Sequence, residues 1–70
     1  MSIYLVETTR GTVRVRASAV TRPAHCTGDF WSEEHDGSPD VARQWEAMRA
    51  AIAPHAKVDA ADVIEIRLIG

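Results

Sequence analysis

The segment IYLVETTRGTVRVRA, residues 3–17, constrains the fold more than any other stretch of the chain. Its second half alternates apolar residues with arginines, in the order Val13, Arg14, Val15, Arg16 and Ala17. A period of two is typical of a strand with one face in the core and one in water. The segment therefore predicts an antiparallel hairpin that turns at Arg10 and Gly11, since glycine tolerates the positive φ of a tight turn. The first strand is apolar on both faces from Ile3 to Val6, which favours a central position in the sheet.

The C-terminal segment DVIEIRLIG repeats the strand pattern. Three apolar residues fall on one face and two charged residues on the other, namely Ile64, Ile66 and Leu68 against Glu65 and Arg67. This alternation predicts a third strand with Ile64, Ile66 and Leu68 in the core.

The segment SPDVARQWEAMRAAIAP, beginning at Ser38, has the features of an amphipathic helix. Ser38 is a candidate N-cap, Pro39 suits the first helical position, and Asp40 complements the positive end of the helix dipole. One helical stripe carries the large apolar residues Val41, Trp45, Met48 and Ile52. Pro54 is expected to end the helix.

These elements predict a single α+β domain, residues 1–70, of the type ββ(α)αβ. We expect a three-stranded antiparallel sheet in the order 2-1-3, with one face covered by the helix. A short helix ending near Gly28, capped by Ser18 or Thr21, is compatible with residues 18–27, and Phe30 and Trp31 would pack under the main helix as a connector. The second sheet face would be open and would carry Arg14, Arg16, Glu65 and Arg67, with Tyr4 and Val6 between them.

Composition is typical of a small folded protein. Of the 70 residues, 46% are hydrophobic and 26% are charged, and no apolar run is long enough for a bilayer-spanning helix. The N-terminus lacks the pattern of a signal peptide, so we expect a cytoplasmic protein. The lone Cys26 is expected to remain a thiol, as in a reducing compartment.

The net charge of −2 conceals an uneven distribution. Residues 1–22 contain four arginines against Glu7, a balance of +3, whereas residues 23–42 contain five carboxylates and no Lys or Arg, a balance of −5. Charge of one sign confined to one segment steers a partner of the opposite sign.

The segment AHCTGDFWSEEHDG raises the question of a chemical site. His25, Cys26 and His35 are potential zinc ligands, which Glu33, Glu34 or Asp36 would complete, but their spacing matches no zinc motif. A nucleophilic Cys26 is disfavoured because negative neighbours raise the pKa of a thiol. We therefore predict no catalytic residues, no metal and no cofactor.

The acidic segment is better interpreted as a contact surface for a partner. Aromatic anchors with charge at the rim are typical of protein interfaces. The predicted partner-binding residues are Asp29, Phe30, Trp31, Glu33, Glu34, Asp36 and Asp40. The alternative is nucleic-acid binding by arginines on the open sheet face, namely Arg14, Arg16 and Arg67.

The opening IYLVETTRGTVRVRA, together with the size and acidity of the chain, resembles the small proteins of bacterial viruses and mobile elements, among them the anti-CRISPR inhibitors. The resemblance carries no motif, so it assigns no residues. It implies a non-catalytic protein that inhibits a bacterial CRISPR surveillance complex by occupying a basic, nucleic-acid-binding surface. The partner would be a protein or ribonucleoprotein of the bacterial host cytoplasm rather than a small molecule or a membrane. The open sheet face or a free strand edge also suggests a homodimer.

Overall fold

The fold is α+β, with one helix packed on an antiparallel sheet. The computed structural model describes residues 2–19, 22–33 and 38–70. The strands are β1 (Ile3–Thr8), β2 (Gly11–Arg16), β3 (Phe30–Ser32) and β4 (Val63–Leu68), and the helix is α1 (Pro39–Ala56). Two short 3-10 helices cover Ala17–Ala19 and Ala60–Asp62. The sheet order is β2-β1-β4-β3, and every neighbouring pair is antiparallel.

The sheet has four strands, so the prediction of three is wrong. The three predicted strands do lie in the predicted order, β2-β1-β4. The additional strand β3 pairs with β4 through Phe30 opposite Arg67 and Trp31 opposite Ile66. Because three residues are too few to show an alternation, this strand is defined by its tertiary pairing and not by a local pattern.

The β1–β2 hairpin turns through Thr9 and Arg10, close to the predicted position. The Thr8 hydroxyl accepts a hydrogen bond from the Arg10 N–H at 3.0 Å and donates one to the Gly11 carbonyl at 2.7 Å. Gly11 has a φ of +120°, a conformation that residues with a side chain rarely adopt. The Thr8 side chain and Gly11 therefore fix the turn together.

The helix begins as predicted and ends later than predicted. Ser38 occupies the N-cap position and Pro39 the first turn, although the Ser38 side chain makes no capping hydrogen bond. Helix α1 continues through Pro54 to Ala56, and Lys57, with a φ of 60°, closes it by donating its N–H to the carbonyls of Ala53 and Pro54. Pro54 lies in the final turn, where it loses one helical hydrogen bond and crowds the carbonyl four residues earlier, and the burial of Ala53 and Ala56 in the core holds this turn in place.

The core lies between α1 and one face of the sheet. The helix contributes Trp45, Met48 and Ile52 as predicted, and the sheet contributes Tyr4, Val6, Val15, Trp31 and Ile66. Val41 is 41% exposed, so its assignment to the buried stripe is wrong. The buried helical stripe runs from Trp45 onward and is completed by alanines near the C-terminus of the helix.

Strand β4 contains an irregularity that changes which isoleucines are buried. Glu7 pairs with Glu65, but the next residue, Thr8, pairs with Val63, so Ile64 is an extra residue in β4. Val63 is buried in its place, and Ile64 is 46% exposed. The prediction of Ile64 in the core is therefore wrong, because a bulge breaks the period of two.

Tyr4 and Val6 face the helix, contrary to the prediction that they lie on the open face. They pair with Val15 and Val13, and all four side chains are directed to the core side. Because the first strand is apolar on both faces, its alternation could not indicate which residues are buried.

The described part of the connection from β2 to β3 contains no α-helix. Ala17–Ala19 forms a 3-10 turn directly after β2, and residues 22–29 form turns and irregular chain. Gly28 has a φ of +85°, as expected for a glycine that ends a turn. The proposed cap Thr21 lies outside the described residues, whereas the predicted short helix through Ala24 and Cys26 is not formed.

Candidate binding surface

The sheet face opposite α1 carries two rows of side chains that run across the strands. We call this surface the open face. The register places Arg14, Leu5, Arg67 and Phe30 side by side in one row, the arginine row. The neighbouring row, the glutamate row, contains Thr12, Glu7, Glu65 and Ser32. The face therefore has positive charge along one row and negative charge along the next.

The predicted arginines share this face. Arg14 and Arg67 lie in the arginine row, and Arg16, opposite Ile3, lies one row beyond it. Arg67 is engaged locally: its Nη2 lies 3.8 Å from the Glu65 Oε1, and its guanidinium carbon lies 5.1 Å from the centroid of the Phe30 ring. The arginines are thus interspersed with carboxylates, which lowers the positive potential of the face.

A groove lies at the corner of the open face, where β3 ends and β4 begins. We call it the corner groove. It has a volume of about 490 Å³ and is lined by Thr9, Phe30, Ser32, Glu33, Ala61, Val63, Ile64 and Glu65. Two of its lining residues are large, apolar and exposed, Phe30 at 45% and Ile64 at 46% of their surface. Glu33 and Glu65 supply negative charge. This combination of exposed apolar side chains and carboxylates is typical of a protein contact surface.

Two other grooves combine both signs of charge. One, of about 310 Å³, is lined by Arg10, Lys57, Asp59 and Asp62 together with Val58. The other, of about 330 Å³, lies beside the start of α1 and includes the ion pair between Asp40 and Arg43. Each has both basic and acidic side chains in its lining. The described lining of the corner groove contains two carboxylates and no Lys, Arg or His, and one of the two, Glu65, pairs with Arg67 outside that lining.

The predicted partner-binding carboxylates do not form one patch in the part of the chain that the structure describes. Asp29 and Glu33 are exposed at opposite ends of β3. Asp40 is exposed on α1, in the other layer, and is paired with Arg43. Glu34 and Asp36 lie outside the described residues. Of the described carboxylates in this set, Glu33 alone lines the corner groove, together with Glu65, a residue that the sequence did not single out for partner binding.

The two neighbouring aromatic residues of β3 point to opposite sides of the sheet. Phe30 lies on the open face, whereas Trp31 is only 4% exposed and packs in the core. The centroids of the Trp31 and Tyr4 rings are 6.3 Å apart. The assignment of Trp31 to a contact surface is therefore corrected, because successive side chains of a strand alternate between faces. The prediction that both rings pack under the helix holds for Trp31 and is wrong for Phe30.

Arg22 fixes the loop that precedes β3. Its Nε donates to the Cys26 carbonyl at 2.8 Å, and its Nη2 donates to the Gly28 carbonyl at 2.7 Å. The guanidinium carbon lies 5.0 Å from the centroid of the Trp31 ring. One arginine thus satisfies two loop carbonyls and packs on the buried tryptophan, a role that the sequence did not indicate.

Cys26 and His25 occupy different environments. Cys26 is buried, its Sγ donates a weak hydrogen bond to the Gln44 carbonyl at 3.5 Å, and His25 is exposed. Burial raises the pKa of the Cys26 thiol, and the nearby Arg22 guanidinium opposes part of that shift. The expected direction is confirmed, but desolvation is the main cause rather than negative neighbours.

No group of three or more His, Cys, Asp or Glu side chains converges among residues 2–19, 22–33 and 38–70. His35, the third candidate zinc ligand, lies outside these ranges. Within the same ranges, no helix is both long enough and apolar enough to cross a membrane.

No family model, curated protein or solved structure matches the chain.

Proposed function

We propose that this chain is a non-catalytic binding protein that docks the corner groove onto a basic protein surface. The observation that carries the proposal is the pairing of two exposed apolar side chains, Phe30 and Ile64, with two carboxylates, Glu33 and Glu65, in one groove. A few well-packed anchor residues, often aromatic, supply most of the binding free energy of an interface, and charges at the rim supply orientation and association rate.

The charge of the groove specifies the chemistry of the partner. The described residues of its lining include Glu33 and Glu65 and no lysine, arginine or histidine, and Glu65 also pairs with Arg67 at 3.8 Å. Asp29 adds negative charge at the other end of β3. A complementary partner therefore presents an apolar side chain flanked by lysine or arginine, and its association weakens as salt is added.

The chemistry of the groove favours binding over catalysis. Its polar side chains are the hydroxyls of Thr9 and Ser32 and the two carboxylates. Acyl or phosphoryl transfer uses a nucleophile paired with a base and donors for a developing anion. The carboxylates of Glu33 and Glu65 in the lining repel such an anion.

The specific partner that we propose is a bacterial CRISPR surveillance complex. Such a complex holds nucleic acid on a basic channel, so an acidic protein seated there excludes the target strand. The −5 balance of residues 23–42 and the resemblance of the N-terminal segment to proteins of the anti-CRISPR type support this choice.

The proposal is tested by target-DNA binding to a panel of purified surveillance complexes of different types. We expect stoichiometric addition of the protein to reduce DNA binding by at least one complex. Glu33→Lys removes a groove carboxylate and introduces a cation, so inhibition should fall at least roughly tenfold. Asp59→Lys is the matched control, with the same charge change outside the groove.

Two outcomes contradict the proposal. The partner class is wrong if every complex in the panel retains its DNA at saturating protein. The groove is the wrong surface if Glu33→Lys and Asp59→Lys inhibit as strongly as the unmodified chain.

A further inference from the structure

We infer that the open face binds a second copy of this chain, with the arginine row of one copy against the glutamate row of the other. This inference does not rest on the proposed docking function. It follows from the order of charges on the face and from the absence of a second layer over the described part of that face.

The charge pattern is self-complementary about a two-fold axis. A two-fold interface uses the same patch on both copies, so each feature must find its complement within that patch. The two rows lie two residues apart along the strands, about 7 Å at strand geometry. Two copies can stack with their open faces together, related by a two-fold axis in the plane between the sheets. If this axis runs parallel to the rows and midway between them, the arginine row of each copy lies over the glutamate row of the second copy.

This axis sets specific residues opposite each other. Arg67 of one copy faces Glu65 of the second copy, and the reverse contact forms by symmetry. The 3.8 Å pair within each chain then becomes part of a four-residue network. Arg14 of one copy lies diagonally across from Glu7 of the second, within reach of a long side chain.

The face also has apolar surface to bury. Leu5 and Ile3 are only partly covered within one chain, and Phe30 is 45% exposed. The aliphatic stems of the arginines extend this surface.

A second copy fits this face better than a nucleic acid does. Arg14, Arg16 and Arg67 share the face with Glu7 and Glu65, so a phosphate chain crossing it meets carboxylates in the adjacent row. Arg67 is already paired with Glu65 and stacked on Phe30. A strand added at the edge of β2 is also disfavoured, since charged side chains on an edge strand oppose such pairing.

Sedimentation equilibrium of the full chain over a wide concentration range tests the inference. We expect a monomer–dimer equilibrium that weakens with salt. Arg67→Glu sets carboxylates opposite each other, so the dissociation constant should rise at least roughly tenfold. Combining Arg67→Glu with Glu65→Arg exchanges the two charges and should restore association, which a merely unfolded variant would not do.

Arg43→Glu provides the matched charge change on α1, away from the open face, and should leave the dimer intact. A monomer at every concentration overturns the inference, as does a dimer that Arg67→Glu leaves unchanged. Saturable binding of a single-stranded oligonucleotide, lost in Arg14→Ala and Arg16→Ala, would also overturn it by assigning the face to nucleic acid.

Discussion

The guanidinium of Arg67 lies over the ring of Phe30, 5.1 Å from its centroid. This contact joins the two surfaces of the molecule, because Phe30 belongs to the arginine row of the open face and also lines the corner groove. Glu65 likewise belongs to both surfaces. Face-to-face pairing of two copies and docking of a partner in the groove should therefore compete for the same side chains.

The bulge in β4 predicts different consequences for two isoleucines that are two residues apart. Ile66 is fully buried, so Ile66→Ala should lower the free energy of unfolding by about 2–5 kcal/mol. Ile64 is the extra, exposed residue of the bulge, so Ile64→Ala should change the free energy of unfolding by less than about 1 kcal/mol. Urea denaturation of the two variants measures both values. Equal destabilisation would show that Ile64 is part of the core.

Arg22 should hold Trp31 away from solvent. Arg22→Lys keeps the positive charge but loses the guanidinium group that donates to both the Cys26 and Gly28 carbonyls. We expect the free energy of unfolding to fall by about 1–3 kcal/mol. Acrylamide quenching of Trp31 fluorescence, measured with Trp45→Phe as the background, should increase. Arg43→Lys on α1 is the control and should alter neither the free energy of unfolding nor the quenching of Trp31. Unchanged quenching in Arg22→Lys would mean that the loop is held by other contacts.

The buried thiol of Cys26 should make stability depend on alkaline pH. Its pKa is raised by burial in the folded chain, so the folded state keeps the proton at a pH where the unfolded thiol loses it. The stabilising contribution is complete below about pH 8.5, the usual pKa of a cysteine, and falls as the pH rises above it. Urea denaturation at about pH 7 and about pH 10 should show a larger loss of stability for the unmodified chain than for Cys26→Ala. Equal losses in the two proteins would contradict the burial of the thiol.

The hairpin, the helix and the C-terminal strand could be predicted because each buries one face and therefore repeats at a fixed period. Val15 and Ile66 follow the strand period, and Trp45 and Met48 follow the helical period. The helix start was also predictable, since Ser38 precedes a proline that suits the first turn. These are features that the local sequence determines.

The remaining features depend on tertiary pairing. A strand of three residues has no visible period, so the sequence around β3 indicates only a connector and does not assign Phe30 and Trp31 to opposite faces. The bulge at Ile64 breaks an alternation that looked regular. The corner groove combines these two features, which explains why Glu33 and Phe30 were identified from the acidic segment while Ile64 and Glu65 were not.

The corner groove, with Phe30 as its apolar anchor, is the docking surface that we propose for a basic partner. The measurement is the dissociation constant of whichever complex in the panel the unmodified chain inhibits, for two matched truncations of exposed residues, Phe30→Ala in the groove and Val41→Ala on α1. We predict that Phe30→Ala weakens binding by at least about tenfold, as expected for an interface hot spot, and that Val41→Ala leaves it unchanged. Equal affinities of the two variants and the unmodified chain would contradict the account.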